Sequence, residues 1–414
     1  MTSQTLFYII IAIIIVGFAF DQWINYLNTT RRSNVLPEAL QGFYDESTYS
    51  LQQDYERDNY RFGLVSDMLS FVAILAMLLL GGFACIDGWL RNYTDSAILL
   101  ALLFFGIIAF ASDLLSIPLE VYHTFVIEER YGFNKTTPKT FVMDKLKGWL
   151  LATVIGGGIL SLIIFIYEKS GSWFWILAWI SISVFTLFVS YFYTSLLVPI
   201  FNKLTPLPAG ELRDAIELVA AKADFSLKDI SLMDGSKRST HGNAYFSGFG
   251  RKKSIVLFDT LVDEHSVDEL AAVLAHEIGH YKKKHVLKGL ISGILQTGIL
   301  LFVLSLFLKS ALPAFALGAS VASFHMSVVA FGILYSPVSM VLGILFNSIS
   351  RKHEFEADRF AISLSKPGAL QHALKRLSIK NLSNLTPHPW YVFIHYSHPT
   401  LIQRLEAINR IEQL

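Results

Sequence analysis

Residues 273–286, VLAHEIGHYKKKHV, carry His276, Glu277 and His280 in the pattern H-E-x-x-H. On a helix, side chains four apart project from one face, about one turn apart. Two imidazoles so placed can grip a single zinc ion, and the glutamate between them can take a proton from an attacking water. A catalytic zinc takes three protein ligands and keeps its fourth position open. The third ligand must come from elsewhere in the chain. The richest source is SRKHEFEADRFAISL, 350–364, which holds Glu354, Glu356 and Asp358. Glu354 and Asp358 are four apart and share a helix face. One of them can bind the metal while the other fixes a histidine ligand by a carboxylate–imidazole hydrogen bond. Glu356 points elsewhere on that helix. His285 and His353 are rival ligands, although His285 falls outside the required spacing and reads as a basic interfacial residue. Taken singly, either motif also fits a solvated helix face.

The elements that must hold these groups can be read around them. SVDELAAVLAHEIGHYKKKHV predicts a helix with Ser266 as N-cap and Glu269 closing a capping box. Leu270, Val273, Leu274 and Ile278 give it a buried stripe. PLPAGELRDAIELVAAKADF predicts a second helix from near Pro208. ISLMDGSKRSTHGNAYFSGFG and KKSIVLFDTLV read as strands around a turn, a small β-hairpin. Within it, GNAYFSG reads as an edge strand, on which an extended peptide can pair. Asn243, Ala244 and Tyr245 are the candidate substrate-binding residues. Asn243 can hydrogen-bond a peptide main chain, and Ala244 leaves room beside it. In HYSHPTLIQRL, His398 precedes a proline and Arg404 follows six residues later.

The catalytic motif runs directly into an apolar stretch. The chain of 414 residues is 53% hydrophobic and only 16% charged, where soluble domains carry about 25% charged residues. Seven apolar stretches, at about 5–25, 64–86, 97–119, 148–168, 173–200, 286–308 and 325–347, each approach the roughly 20 residues a helix needs to cross a bilayer. The first lacks a basic start and a small-residue cleavage pattern, so it reads as a retained helix. Lys and Arg are sparse in the loops near Arg91, Lys169 and Lys309 and plentiful in 26–61, 120–147, 202–285 and 351–414. That alternation predicts seven crossings, an outside N-terminus and a cytoplasmic C-terminus. Polar blocks 202–285 and 351–414 flank helices 6 and 7, so one catalytic unit can assemble from both. The division expected is 1–201 for helices 1–5 and 202–414 for the peptidase part. Net charge of +1 and the lack of a nucleic-acid motif exclude a nucleic-acid partner. The single cysteine, Cys85, excludes an intrachain disulfide and a thiolate metal site.

H-E-I-G-H followed far downstream by E-F-E-A-D-R-F-A resembles the M48 family of metallopeptidases. It is most similar to their integral-membrane branch, the type I CAAX prenyl proteases. VIEERYGFNKTTPKTFVMDKLKG, VPIFNKLTPLPAGEL, GSKRSTHGNAYFSGFG and HYSHPTLIQRLEAI match that family's segments in order. The resemblance implies a mainly α, polytopic membrane protein of about seven helices around a water-filled chamber, with a zincin-like domain. It implies one zinc ion per chain on His276, His280 and Glu354, with Glu277 as base and Asp358 behind a ligand. It also places His398 and Arg404 near the metal, His398 to stabilise an oxyanion and Arg404 to pair with an acid such as Asp358. The implied partners are a bilayer and a peptide or protein substrate, prenylated or not, for a monomeric enzyme. Polar residues near helix ends, Asp67, Asp113 and Glu120, make sense facing such a chamber. Gly242 stands where the family resemblance implies serine, and Tyr281 where tryptophan is common in eukaryotic relatives. They point to a bacterial inner membrane; a eukaryotic source would place the chain in the endoplasmic reticulum. The rival readings are a quality-control membrane peptidase of the HtpX type, a non-catalytic holding factor and a transporter. The intact H-E-x-x-H argues against a holding factor, the few midplane charges against a transporter, and the length and helix count against the HtpX type.

Overall fold

A computed structural model describes residues 1–33, 35–227, 229–247 and 254–413. Its first helices are α1 (Ser3–Thr29), α2 (Glu46–Leu79), α3 (Gly82–Leu90) and α4 (Ala97–Tyr122). Next, α5 (Pro138–Leu151) passes through a π-helical turn into α6 (Gly157–Ser170), and α7 (Phe174–Phe192) through another into α8 (Val198–Phe201). Then come β1 (Leu204–Pro206), α9 (Glu211–Lys222), β2 (Asp229–Met233), β3 (Ala244–Ser247), β4 (Ser254–Phe258), α10 (Asp259–Val262) and α11 (Val267–Lys282). The chain closes with α12 (His285–Phe307), α13 (Leu312–Ala316), α14 (Phe324–Ile362), α15 (Ala369–Lys380), α16 (Pro389–His395) and α17 (Leu401–Glu412).

Among the described residues, six helical stretches are long and apolar enough to cross a membrane. One of them, Pro138–Phe201, has 64 residues, about 96 Å if straight against a bilayer core of about 30 Å. It folds back at Gly171, whose φ of +52° suits glycine, and α6 then packs on α7, with Tyr167 edge-on to Phe174. The 64-residue stretch therefore supplies two crossings, and the total is the seven that the loop charges predict. In every spanning stretch only 6–17% of the apolar window is buried. Each helix therefore keeps most of its apolar surface for lipid and for the spaces between helices. A cavity of about 1130 Å³ is lined by Asp113, Glu120 and Lys145, among others. Lys145 pairs with both carboxylates, at 2.9 and 2.7 Å. Asp67 accepts a hydrogen bond from Gln22 beside a smaller cavity.

Three spans differ from the sequence expectation, the fourth because its helix starts at Pro138 rather than near 148. The second does not run 64–86: α2 begins at Glu46, and the chain breaks at Gly81 (φ +69°) before α3. The early turns of α2 bury Tyr49 with Leu385 and Leu405 of the C-terminal part, which apolar runs could not reveal. The last span is longer than 325–347. As the sequence suggested, helix continues from the membrane into 350–364, so α14 is one rod of 39 residues, about 58 Å long.

The strands form one mixed sheet in the order β1-β2-β4-β3. The expected hairpin, β3 antiparallel to β4, is its edge half. β2 pairs parallel with β4, and β1 pairs antiparallel with β2. The turn between β3 and β4 lies outside the described residues. β1 is three residues long and includes Pro206, so it has no strand signature. α9 starts at Glu211, not near Pro208, because Leu207 N–H is still paired with Ile230 O. The two polar blocks do meet: Ala271, Ala272, Ala275 and Ile278 share a core with Ala361, Ala369, Leu370 and Ile408.

Candidate active site

Ser266 caps α11 with the complete capping box, and Leu270, Leu274 and Ile278 are buried as the periodicity predicts. α11 lies against α14 so closely that a Cβ on Gly279 would stand 3.2 Å from the Ala357 Cα and carbonyl oxygen. This Gly–Ala contact brings the two histidines of α11 onto the carboxylates of α14.

His276 Nε2 and His280 Nε2 are 3.0 Å apart. Glu354 Oε1 lies 3.2 Å from His280 Nε2, and Oε2 lies 3.4 Å from His276 Nε2. Ligand atoms of the three residues all fall within 4.8 Å of one another. Two imidazole nitrogens facing each other beside a carboxylate can share one cation. The donor set of two nitrogens and one oxygen suits a divalent metal with an open position. The buried Glu354 Oε2 has no hydrogen-bond partner, which a metal bond would supply. The residues present therefore fit the metal that the sequence implies.

Asp358, one turn beyond Glu354, puts Oδ1 2.8 Å from His276 Nδ1. It accepts the proton of that nitrogen, so that Nε2 is the nitrogen that would face a metal once its own proton is displaced. Arg404 grips Asp358 with two hydrogen bonds, Nε to Oδ2 at 2.9 Å and Nη2 to Oδ1 at 2.6 Å, and sits 3.7 Å from Glu354. His398 Nε2 is 3.4 Å from Glu354 Oε1, its side chain is 63% exposed, and Ser397 Oγ bonds its Nδ1. Burial depresses the His276 imidazole, but the hydrogen bond to Asp358 and the nearby Glu354 carboxylate outweigh it, and the pKa is pushed up to about 9. Burial raises the Glu277 carboxyl above its ordinary value, opposed by His276 and His280.

Among the substrate-binding candidates, β3 is the sheet edge that the sequence suggests. The bond from Phe258 N–H to Asn243 O sets a register in which Ala244 and Phe246 turn their backbone groups away from β4, to the free edge. Asn243 is exposed, and its Oδ1 accepts from Ala244 N–H at 2.8 Å. Tyr245 does not join them through its side chain. Strand alternation turns its ring to the opposite face, against Tyr193 and Phe258, while Ala244 and Phe246 pack toward the core that includes Leu270 and Leu274 of α11. Gly242, where serine was expected, lies close to α10: a Cβ would meet Leu261 Cδ1 at 3.1 Å.

Two features went unread in the sequence. His285 is not a basic interfacial residue but is buried, with Nδ1 3.2 Å from His280 Nδ1. His241, two residues before Asn243, stacks on Phe133 at 4.2 Å and bonds Asn381. It also pairs with Glu128, which accepts from the Tyr55 hydroxyl. It thereby ties the approach to β3 to the membrane helices. Its partners are remote in sequence, and no local pattern marks it.

Residues 25–203 match the family model described as "CAAX prenyl protease N-terminal, five membrane helices", and residues 206–412 match "Peptidase family M48". The chain belongs to peptidase family M48. Within it, the chain is 34% identical to the CAAX prenyl protease 1 of Saccharomyces cerevisiae, over 96% of this chain and 94% of that one. The human CAAX prenyl protease 1 homolog is 30% identical over 97% and 95%. A crystal structure of S. mikatae Ste24p superposes with a TM-score of 0.92 at 33% identity, covering 98% of this chain and 99% of that chain. This M48 member is thus a multi-pass membrane metalloendopeptidase acting on peptide or protein substrates.

Proposed function

We propose that this chain is a zinc-dependent membrane endopeptidase that processes prenylated C-termini of the CAAX type on the cytoplasmic side. The observation that carries the chemistry is the convergence of His276, His280 and Glu354 with one buried carboxylate oxygen left unbonded. In this reading those three residues hold the zinc. When bound, zinc polarises the scissile carbonyl and lowers the pKa of water at the open position to about 7. Glu277 takes the proton of the attacking water and delivers it to the leaving amine. Asp358, held by Arg404, fixes the tautomer of His276 and the angle of its ring. His398, accessible beside Glu354, donates to the oxyanion of the tetrahedral intermediate. The β3 edge holds the substrate extended through the backbones of Ala244 and Phe246, with Asn243 on its main chain. Tyr245 supports the edge instead: its backbone pairs with Val256 of β4 and its ring packs on the opposite face.

The substrate class is supported by the names of the relatives and by the hollow membrane part, which a soluble peptidase would not need. Positive loops support a cytoplasmic site, residues 1–201 forming the enclosure and 202–414 the peptidase unit of a monomer. The departures at Gly242 and Tyr281 favour a bacterial inner membrane over the endoplasmic reticulum. The test is digestion of a farnesylated CAAX peptide beside its unprenylated twin by the purified, zinc-loaded protein. Preferential cleavage of the farnesylated peptide is expected. Equal cleavage of both would replace the CAAX reading with a general membrane-protein quality-control peptidase.

A further inference from the structure

His276 has a carboxylate directly behind it. His280 does not. Its Nδ1 faces instead the Nδ1 of His285, 3.2 Å away. The Nε2 of His285 in turn lies 3.1 Å from Glu356 Oε2. The ring of His285 stacks on His353, with centroids 3.9 Å apart and planes 9° from parallel. The residue is buried, and the preceding Lys284 adopts φ +60°, a left-handed conformation rarely taken by a side chain of this size. The chain accepts that unfavourable turn between α11 and α12 and so sets an imidazole against the end of α11.

We infer that His285 and Glu356 are positioning residues that fix the proton and ring orientation of His280 for metal binding. This rests on the zinc reading above. Proton accounting supports it. If Nε2 of His280 gives its lone pair to the cation, Nδ1 must carry the hydrogen and needs an acceptor. His285 Nδ1 is the acceptor at 3.2 Å. His285 then carries its own hydrogen on Nε2, where Glu356 accepts it. Each group has one role, and a single carboxylate sets both tautomers. The same accounting removes His285 as a rival metal ligand, because both its ring nitrogens are engaged. The site is thus asymmetric. One histidine ligand is backed directly by a carboxylate from the buried face of α14, and the other is backed through an intervening imidazole by a carboxylate from a different face of that helix. Glu356, which shares no face with Glu354 and Asp358, acquires a role.

The test is zinc affinity of the full-length protein in detergent, by competition with a chelator, together with thermal unfolding of the metal-free forms. His285→Leu leaves the His280 N–H without an acceptor and should weaken zinc binding about 10- to 100-fold. His285→Asn, which restores an oxygen near the Nδ1 position, should recover most of that loss. Glu356→Ala should give a smaller loss in the same direction. Unfolding of the metal-free variants should match the parent, which a merely structural role would not allow. Parental affinity in His285→Leu, or equal weakening in the Leu and Asn variants, would overturn the inference. Should the Leu variant fail to fold, parental affinity in Glu356→Ala overturns it instead. A parent protein that binds no zinc would sink the zinc reading; a parent that binds zinc with unaltered variants sinks only the relay.

Discussion

Gly279→Ala adds one methyl group at the point where α11 meets α14. That Cβ would stand 3.2 Å from two backbone atoms of Ala357 and 3.1 Å from Phe360 Cδ1. Phe360 can turn away, but the backbone of α14 cannot, so the helices must part by a few tenths of an ångström. Overpacking of this kind costs about 1–3 kcal/mol, partly offset by about 1 kcal/mol gained from replacing glycine within a helix. The net expectation is a loss of up to about 2 kcal/mol in stability. Zinc affinity should suffer more, because His276 and His280 ride on α11 while Glu354 rides on α14, and metal–ligand distances tolerate only about ±0.2 Å. Gly298→Ala is the control. Its Cβ would meet the Trp179 ring at 2.9 Å, and that ring is anchored by a bond to Ile294 O. It should therefore destabilise the protein but leave zinc affinity unchanged. Thermal unfolding and chelator competition on both variants decide the matter. If Gly279→Ala binds zinc as the parent does, or if Gly298→Ala loses zinc equally, the claim that this contact sets the site geometry fails.

Asp358→Asn removes the charge that two Arg404 bonds and the His276 Nδ1 depend on; breaking such a buried pair costs about 3–5 kcal/mol, readable as a lowered unfolding temperature. Because His276 without metal holds its proton up to about 9, zinc must displace that proton, and affinity should fall about tenfold per pH unit below that value. The metal-free protein should show the opposite trend: the raised His276 contributes stability that is fully present below 6.5 and lost as the pH rises to about 9. A pH-independent zinc affinity across this window would contradict both statements. For topology, Ser310→Cys in a Cys85→Ser background should react with an impermeant thiol reagent on right-side-out membranes, and Asp263→Cys should not; strong labelling of the latter would invert the orientation.

What was legible in the sequence was local. Ser266, Glu269 and the stripe of α11 obey the capping and periodicity rules, and the fourfold spacing of His276/His280 and of Glu354/Asp358 is a helix property. The crossings were legible because lipid demands long apolar runs and the short loops carry their charge signature. What depends on distant partners was not. Arg404 meets Asp358 across 46 residues, and only the family resemblance suggested it. His285 gains its role from a left-handed turn at Lys284 and from Glu356, 71 residues on. The side-chain direction of Tyr245 follows from a strand register that Gly242 and Asn243 do not specify. β1 is visible only because β2 offers it a partner.

The central claim is that Glu277 moves the proton at a metal held by His276, His280 and Glu354. Glu277→Gln keeps the size of the side chain and all three ligands but removes the base. The measurement is zinc content by elemental analysis, with cleavage of the farnesylated peptide, on the same preparation. One zinc per chain with turnover reduced by at least about a hundredfold is expected, in line with the usual contribution of general base catalysis. Parental turnover in the zinc-loaded variant would contradict the account.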